Sequence, residues 1–179
     1  MKLLRTIRLD PSDTFIFDPA AEAGEWAVSG AFVFWAQDPD TFVGKTRTAF
    51  RSGFLGLDTL GWSTLVQVVE ATDNDRAEAV DLLAQQLVAA FGAPDLAAAR
   101  RAAEEEVAFA ESLAEQPKDI LVAVHRRFEG GEVRETFRTL EPRNGPKPLR
   151  AFSFLDVEGD DEQPDDKIDL LSLTERDRK

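Results

Sequence analysis

The chain has 179 residues, no cysteine and a net charge of −13 at pH 7, a size that fits one domain with its own core. The absence of cysteine excludes disulfides, thiolate metal sites and cysteine nucleophiles, and the negative charge disfavours binding to nucleic acid or anionic membranes. No apolar run reaches the roughly 18 residues of a membrane helix, and the opening MKLLRTIRLD lacks the apolar stretch of a secretion signal. We therefore expect a soluble cytoplasmic protein.

The first part of the chain predicts strands and one helix. LLRTIRLD and DTFIF, on either side of a Pro-Ser-Asp turn, predict two strands, and GEWAVSGAFVFW predicts a third, central strand because it is apolar on both faces. DPDTFVGKTRTAFRSG predicts a helix with Asp38 as its N-cap, Pro39 in its first turn and Gly53 near its end. WSTLVQVVE predicts the next strand.

Three glycines, Gly53, Gly56 and Gly61, lie between this helix and this strand. A phosphate loop runs from a strand into a helix N-terminus, whereas here a helix C-terminus precedes the glycines, and their spacing matches no phosphate motif. We interpret the segment as a helix end followed by a wide turn. Its apolar residues either pack on the core or form a candidate contact loop for a partner: Phe54, Leu55, Leu57, Leu60 and Trp62.

Two helices follow. TDNDRAEAVDLLAQQLVAAFG begins with acidic residues and ends at Gly92, and a second helix opens at Pro94 and Asp95. Three successive glutamates, Glu104 to Glu106, point in different directions on the second helix, so we expect solvated carboxylates rather than an acid–base pair.

The segment DILVAVHRRFEGGEVRETFRTLEP predicts a hairpin, because Gly130-Gly131 is a strong two-residue turn that fixes the pairing. One face then carries apolar pairs with an Arg126–Glu135 pair near its edge, and we take it as the core face. The other face brings basic residues together, and the final strand, RAFSFLDV, is expected to extend it. This face is the candidate surface for an anion or a partner: His125, Arg127, Arg134, Arg138 and Arg150.

Two interpretations of this basic face remain open. It is either a solvated surface balanced by acidic side chains of the helices or of the C-terminal segment, or a surface that recognises carboxylates of a partner or a small anionic ligand. His125, the one histidine, has no serine neighbour in the predicted pairing, and DVEGDDEQPDDK lacks the spacing of a calcium loop. We predict no catalytic, cofactor or metal site.

The C-terminal segment differs from the rest of the chain. Residues 156–179 contain ten acidic and four basic side chains, so we predict one domain over residues 1–157 and a flexible acidic tail over residues 158–179. The apolar residues 168–173 are a candidate docking segment. The order of the predicted elements indicates an α+β domain with a mainly antiparallel sheet of about five to six strands and about three helices.

Four stretches carry a family resemblance: RTIRLDPSDTFIF, RSGFLG with GWSTLVQVVEA, EEEVAFA and LRAFSFL. They resemble a bacterial family of short cytoplasmic proteins of unknown function, common in proteobacteria, over most of residues 3–157. The resemblance brings no activity, cofactor or site residue. We expect a non-enzymatic binding or accessory protein that contacts another protein, and the alternative is an enzyme or sensor that binds a small anionic metabolite at the basic face. The sequence leaves the oligomeric state open.

Overall fold

The computed structural model describes residues 1–142 and 152–154. In chain order the strands are β1 (Lys2–Thr6), β2 (Ala27–Val28), β3 (Phe54–Gly56), β4 (Trp62–Ser63), β5 (Leu65–Glu70), β6 (Leu121–Glu129), β7 (Glu132–Pro142) and β8 (Phe152–Phe154). The α-helices are α1 (Asp13–Ile16), α2 (Gly44–Ser52), α3 (Asp73–Phe91) and α4 (Leu96–Leu113). Two short 3-10 helices span Ala31–Phe34 and Pro39–Thr41.

The strands form two antiparallel sheets. The larger sheet has the order β1-β5-β6-β7-β8, and a smaller sheet has the order β2-β3-β4. The predicted α+β domain with a mainly antiparallel sheet and three substantial helices is confirmed. The smaller sheet was not predicted, because its strands are only two or three residues long and carry no clear alternation.

Two predicted strands in the first part of the chain are wrong. DTFIF is the short helix α1, and the carboxylate of its first residue, Asp13, is held by Thr64, whose Oγ1 donates to Asp13 Oδ1 at 2.6 Å. The predicted central strand stops after Val28. Gly30 there takes a left-handed φ of 79°, which ends the strand and starts a 3-10 helix.

The first predicted helix is divided into two pieces. Asp38 caps the short 3-10 helix, because its side chain accepts a hydrogen bond from the backbone N–H of Asp40. The α-helix begins only at Gly44 and ends at Ser52. The predicted cap is therefore present, but it belongs to a separate 3-10 turn.

Helices α3 and α4 agree with the prediction. Thr72 and Asp75 form a reciprocal capping box at the start of α3, and Gly92 ends it with a left-handed φ of 72°. Asp95 caps α4 by accepting from the backbone of Ala98. Helix α3 packs on α4, and α4 packs on β1 and β2, so the core lies between the helices and the inner face of the larger sheet. Within the described part of the chain, no helix has both the length and the apolar character needed to cross a membrane.

Candidate functional site

The β6–β7 hairpin has the register that the sequence predicts. Its opposed residues include Arg127 with Arg134, His125 with Thr136 and Ala123 with Arg138. The two turn glycines both have positive φ, 63° and 84°, as a tight hairpin turn with matching twist requires. The turn therefore determines which side chains share a face.

Four of the predicted site residues lie together on the outer face of this hairpin, and we call this group the arginine face: His125, Arg127, Arg134 and Arg138. The three arginines are exposed and His125 is half-buried. The fifth predicted residue, Arg150, lies outside the described residues, as do the acidic tail and the candidate docking segment at residues 168–173. The hairpin alone thus brings three guanidinium groups onto one regular surface.

The charges of the arginine face act on one another. Partial burial of His125, and then the positive charges of Arg127, Arg51 and Arg138, lower the pKa of this imidazole. His125 is therefore neutral at pH 7, and its Nε2 accepts a hydrogen bond from Arg127 Nε at 3.3 Å. Arg51 adds a fourth positive charge to this region from the last turn of α2, which packs beside β6. The sequence prediction missed it, because no pattern indicates that α2 lies against this strand.

Within residues 1–142 and 152–154, few carboxylates lie close to these arginines. Glu129 Oε1 lies 3.8 Å from Arg127 Nη1, and both side chains are more than half exposed. Among the residues that the structure describes, neither Arg134 nor Arg138 has a carboxylate within 4 Å. Because Arg127 and Arg134 are directly opposed, their like charges lower the stability of the hairpin.

The opposite face of the same hairpin is anchored in the core. The Arg126 side chain is fully buried, and its Nε donates to Glu135 Oε1 at 2.6 Å. Its Nη1 donates to the carbonyl oxygens of Phe50 at 3.1 Å and Gly53 at 2.7 Å, at the end of α2, and its Nη2 donates to Ser29. The sequence predicts the Arg126–Glu135 pair, but it is buried and central rather than at the edge of the core face.

Glu106 of α4 lies beside this buried pair. Burial, and then the negative charge of Glu135, raise the pKa of Glu106 to about 7, although the charge of Arg126 opposes this rise. Its environment therefore differs from the solvated one that the sequence suggested for the three successive glutamates. Glu106 is half-buried on α4, so its carboxyl is coupled to the charges of Glu135 and Arg126.

The candidate apolar contact loop is not a surface. Phe54, Leu55, Leu57 and Trp62 are at most 7% exposed, and Leu60 is partly buried against the core. The segment is the β3–β4 hairpin, whose turn is held by the buried carboxylate of Glu25. Of the two interpretations, packing on the core is therefore correct and the contact loop is wrong.

Four cavities among the described residues lie away from the arginine face. One apolar gap in the core, beside Leu4 and Val107, has a volume of about 10 Å³, which is too small for a metabolite. Three open grooves surround Met1, and their walls contain no residue of the arginine face. No group of three histidine, aspartate or glutamate side chains is placed to hold a metal ion within residues 1–142 and 152–154.

The comparisons with known proteins agree with the sequence resemblance. A model of a family of unknown function, DUF6505, matches residues 1–154, and the chain belongs to this family. No curated protein and no solved structure matches the chain. The expectation of a family without a known activity is confirmed.

Proposed function

We propose that the protein is a non-enzymatic binding or accessory protein of the cytoplasm, and that it binds an acidic segment of another protein through the arginine face. One observation carries the proposal: Arg127 and Arg134 are exposed and directly opposed, and no described carboxylate pairs with Arg134. Proteins rarely place like charges opposite each other without a compensating anion, because the arrangement lowers stability.

The chemistry of arginine favours carboxylates as the target. Each guanidinium presents a planar set of donors that can bind a carboxylate through two parallel hydrogen bonds. The arginine face repeats such groups on adjacent strands of a regular sheet. A partner with several acidic side chains in an extended segment therefore fits it better than one isolated anion.

The shape of the surface also favours a protein over a small metabolite. A metabolite site normally encloses most of its ligand in a cleft, whereas the arginine face lies on the outer side of a hairpin and lines none of the described grooves. A protein partner needs no enclosed pocket. This difference separates the proposal from its alternative, an enzyme or sensor for a small anion.

Affinity purification from the source cells, at low and at high salt, tests the proposal. The bait is compared with Arg127→Glu/Arg134→Glu and with Arg101→Glu/Lys118→Glu, a control with the same change of charge at exposed residues outside the arginine face. We expect one specific protein to be retained at low salt by the wild type and by Arg101→Glu/Lys118→Glu. Arg127→Glu/Arg134→Glu should not retain it. The purified partner should then bind the wild type directly, with an affinity that falls as salt rises.

Equal retention of the partner by all three baits would contradict the proposal, because a partner whose binding is unchanged when Arg127 and Arg134 are both reversed in charge does not bind the arginine face. The proposed cytoplasmic location has its own test. Fractionation of the source cells, followed by detection of the full chain, should place the protein with cytoplasmic markers.

A further inference from the structure

Helix α2 continues the arginine face in the direction from β7 to β6. Strand β5 pairs with residues 121–123 of β6, and α2 packs beside the residues of β6 that follow. In the core, Arg126 Nη1 of β6 donates to the carbonyl oxygen of Phe50 of α2 at 3.1 Å. On the outer side, Arg51 of α2 lies close enough to His125 for its charge to lower the pKa of that imidazole. The outer sides of β7, β6 and α2 therefore form one surface, in this order.

The charged side chains of α2 are all basic. Its nine residues, GKTRTAFRS, contain Lys45, Arg47 and Arg51 and no acidic residue. These three side chains are exposed, whereas Ala49 and Phe50 are buried. Arg47 and Arg51 are four residues apart, so they lie on the same side of the helix. Helices α3 and α4 differ from α2, because each contains four acidic residues and at most two basic ones.

The basic side chains of α2 lack nearby carboxylates in the described part of the chain. Among residues 1–142 and 152–154, no carboxylate oxygen lies within 4 Å of Lys45, Arg47 or Arg51. Lys45 and Arg47 also lie in the first turn of α2, where the helix dipole is positive and disfavours cations. The positions of these two charges therefore do not stabilise the helix, and negatively charged groups of a ligand would compensate them.

Two exposed apolar side chains lie near the start of α2. Val43, the N-cap residue of α2, is 76% exposed, and Trp35 is 77% exposed. They are the chain neighbours of Phe42 and Phe34, whose ring centroids are 5.5 Å apart. The contact between the two phenylalanines thus brings Trp35 close to the first turn of α2. Tryptophan and arginine are the residues that most often dominate the binding energy of protein interfaces.

We propose that the acidic segment of the partner crosses β7 and β6 and continues along α2, where Arg51 and Arg47 bind its carboxylates and Trp35 packs against one of its apolar side chains. The inference rests on the proposed function, because the same segment also contacts the arginine face. With neighbouring strands about 5 Å apart and about 5.4 Å per helical turn, the path from Arg134 over β6 to Arg47 is roughly 20 Å. An extended segment of about six residues covers this length.

The charge of the whole protein favours a short acidic segment over a nucleic acid. Basic side chains beside an exposed aromatic ring also suit a single-stranded nucleic acid, whose bases stack on such rings. The protein has a net charge of −13, so it repels a polyanion whose charge extends beyond the contacted residues. The carboxylates of a protein segment, in contrast, can be confined to the residues that meet the basic surface.

Calorimetric titration of the full chain with two synthetic peptides tests the proposal. One peptide has about eight glutamates between two leucines, and the other has the same glutamates between two serines, so that each covers the expected path. We expect both peptides to bind, and Arg47→Glu/Arg51→Glu, the α2 variant, to weaken the binding of both by on the order of tenfold or more. Arg101→Glu/Lys118→Glu has the same change of charge outside this surface and should weaken binding by less than about threefold.

The same two peptides test the role of Trp35. The leucine peptide should bind the wild type about fivefold to tenfold more tightly than the serine peptide, because a leucine is partly buried against the indole. Trp35→Ala should remove this difference and change the affinity for the serine peptide by less than about twofold. Trp26 and Trp62 are each only 7% exposed, so a blue shift of tryptophan emission on binding reports Trp35. Equal affinities of the two peptides for the wild type, or an unchanged difference in Trp35→Ala, would overturn the role of Trp35.

The outcomes separate this inference from the proposed function. If Arg127→Glu/Arg134→Glu weakened binding of both peptides and the α2 variant did not, the extension onto α2 would be wrong and the proposed function would stand. If only the α2 variant weakened binding, the proposed function would be wrong, because the segment would then bind α2 without the arginine face. Absence of binding of either peptide at about 1 mM would contradict both.

A single-stranded oligonucleotide provides the remaining comparison. A thymidine oligomer of about ten nucleotides covers the same path and has a similar number of negative charges. We expect it to bind more weakly than either peptide. Tighter binding of the oligomer, lost in Arg127→Glu/Arg134→Glu and in the α2 variant, would overturn the proposal of an acidic protein segment in favour of a nucleic acid.

Discussion

Arg126 and Glu135 form a buried ion pair across the β6–β7 hairpin, with Arg126 Nε 2.6 Å from Glu135 Oε1. The same guanidinium binds the last carbonyl groups of α2, where the helix dipole is negative and favours a cation. Its chain neighbour, Arg127, points to the opposite side and belongs to the arginine face. The hairpin is thus fixed to the core directly beneath the exposed charges of the proposed binding surface.

Loss of the buried pair should destabilise the fold. Arg126→Met leaves the Glu135 carboxylate and several carbonyl oxygens without their donor, and we expect the free energy of unfolding to fall by about 3–5 kcal/mol. Arg127→Met removes an exposed arginine from the adjacent position and should change it by less than about 0.5 kcal/mol. Urea unfolding of both variants measures the difference. A fall of less than about 1 kcal/mol for Arg126→Met would show that the pair is not needed for stability.

The stability of the protein should depend on the protonation of Glu106. In the unfolded chain the pKa of this group has its ordinary value of 4.5, and in the folded protein it is about 7, owing to burial and to Glu135, with Arg126 opposing and Glu105 adding slightly. Between these values the folded state binds one proton more than the unfolded state. The free energy of unfolding therefore decreases as the pH rises from about 4.5 to about 7, and it stays at the lower value above pH 7.

Glu106→Gln should remove this contribution. At pH 8 we expect the variant to be more stable than the wild type by on the order of 2 kcal/mol, and near pH 4.5 the two should be nearly equal. Glu78→Gln, at an exposed position of α3, is the matched control. Its free energy of unfolding should equal that of the wild type at every pH. Parallel stability curves for Glu106→Gln and the wild type between pH 4.5 and pH 8 would refute the assignment.

The hairpin could be predicted in register because two adjacent glycines determine a single turn, and every opposed pair follows from it. The start of α3 was equally clear, since Thr72 and Asp75 form a local signal within four residues. What the sequence could not show are contacts between distant segments. The proximity of Arg51 to His125, and of the α2 carbonyl groups to Arg126, depends on how α2 packs beside β6.

The two wrong strands have a common cause. DTFIF and the end of GEWAVSGAFVFW are rich in aromatic residues, which favour strands in isolation. In the folded protein, tertiary contacts override this preference. Phe34 stacks on Trp62 with ring centroids 5.2 Å apart and also contacts Phe42 and Phe50, and a short 3-10 helix after Gly30 places it there.

Shortening one apolar side chain of the β3–β4 hairpin should show whether these side chains stabilise the fold. Leu57 is fully buried, so Leu57→Ala should lower the free energy of unfolding by about 2–5 kcal/mol. Val43, with 76% exposure, is the control, and Val43→Ala should change it by less than about 0.5 kcal/mol. Thermal unfolding followed by circular dichroism is sufficient. If both variants lowered the free energy of unfolding by a similarly small amount, the interpretation of this segment as a contact surface would be favoured instead.

Small anions should not stabilise the protein through the arginine face. A site with a Kd of roughly 50 μM would add about 2.7 kcal/mol of stability at about 5 mM ligand, which shifts the unfolding temperature by several degrees. The arginine face lines none of the described cavities. We therefore expect phosphate, citrate and ATP at this concentration to change the unfolding temperature of the wild type and of Arg127→Glu/Arg134→Glu by the same amount. Chloride at matched ionic strength is the reference for both proteins. The opposite outcome is that one of these anions raises the unfolding temperature of the wild type but not that of the variant. That result would favour the small-metabolite alternative, because only a ligand bound by these guanidinium groups loses its stabilising effect when their charges are reversed.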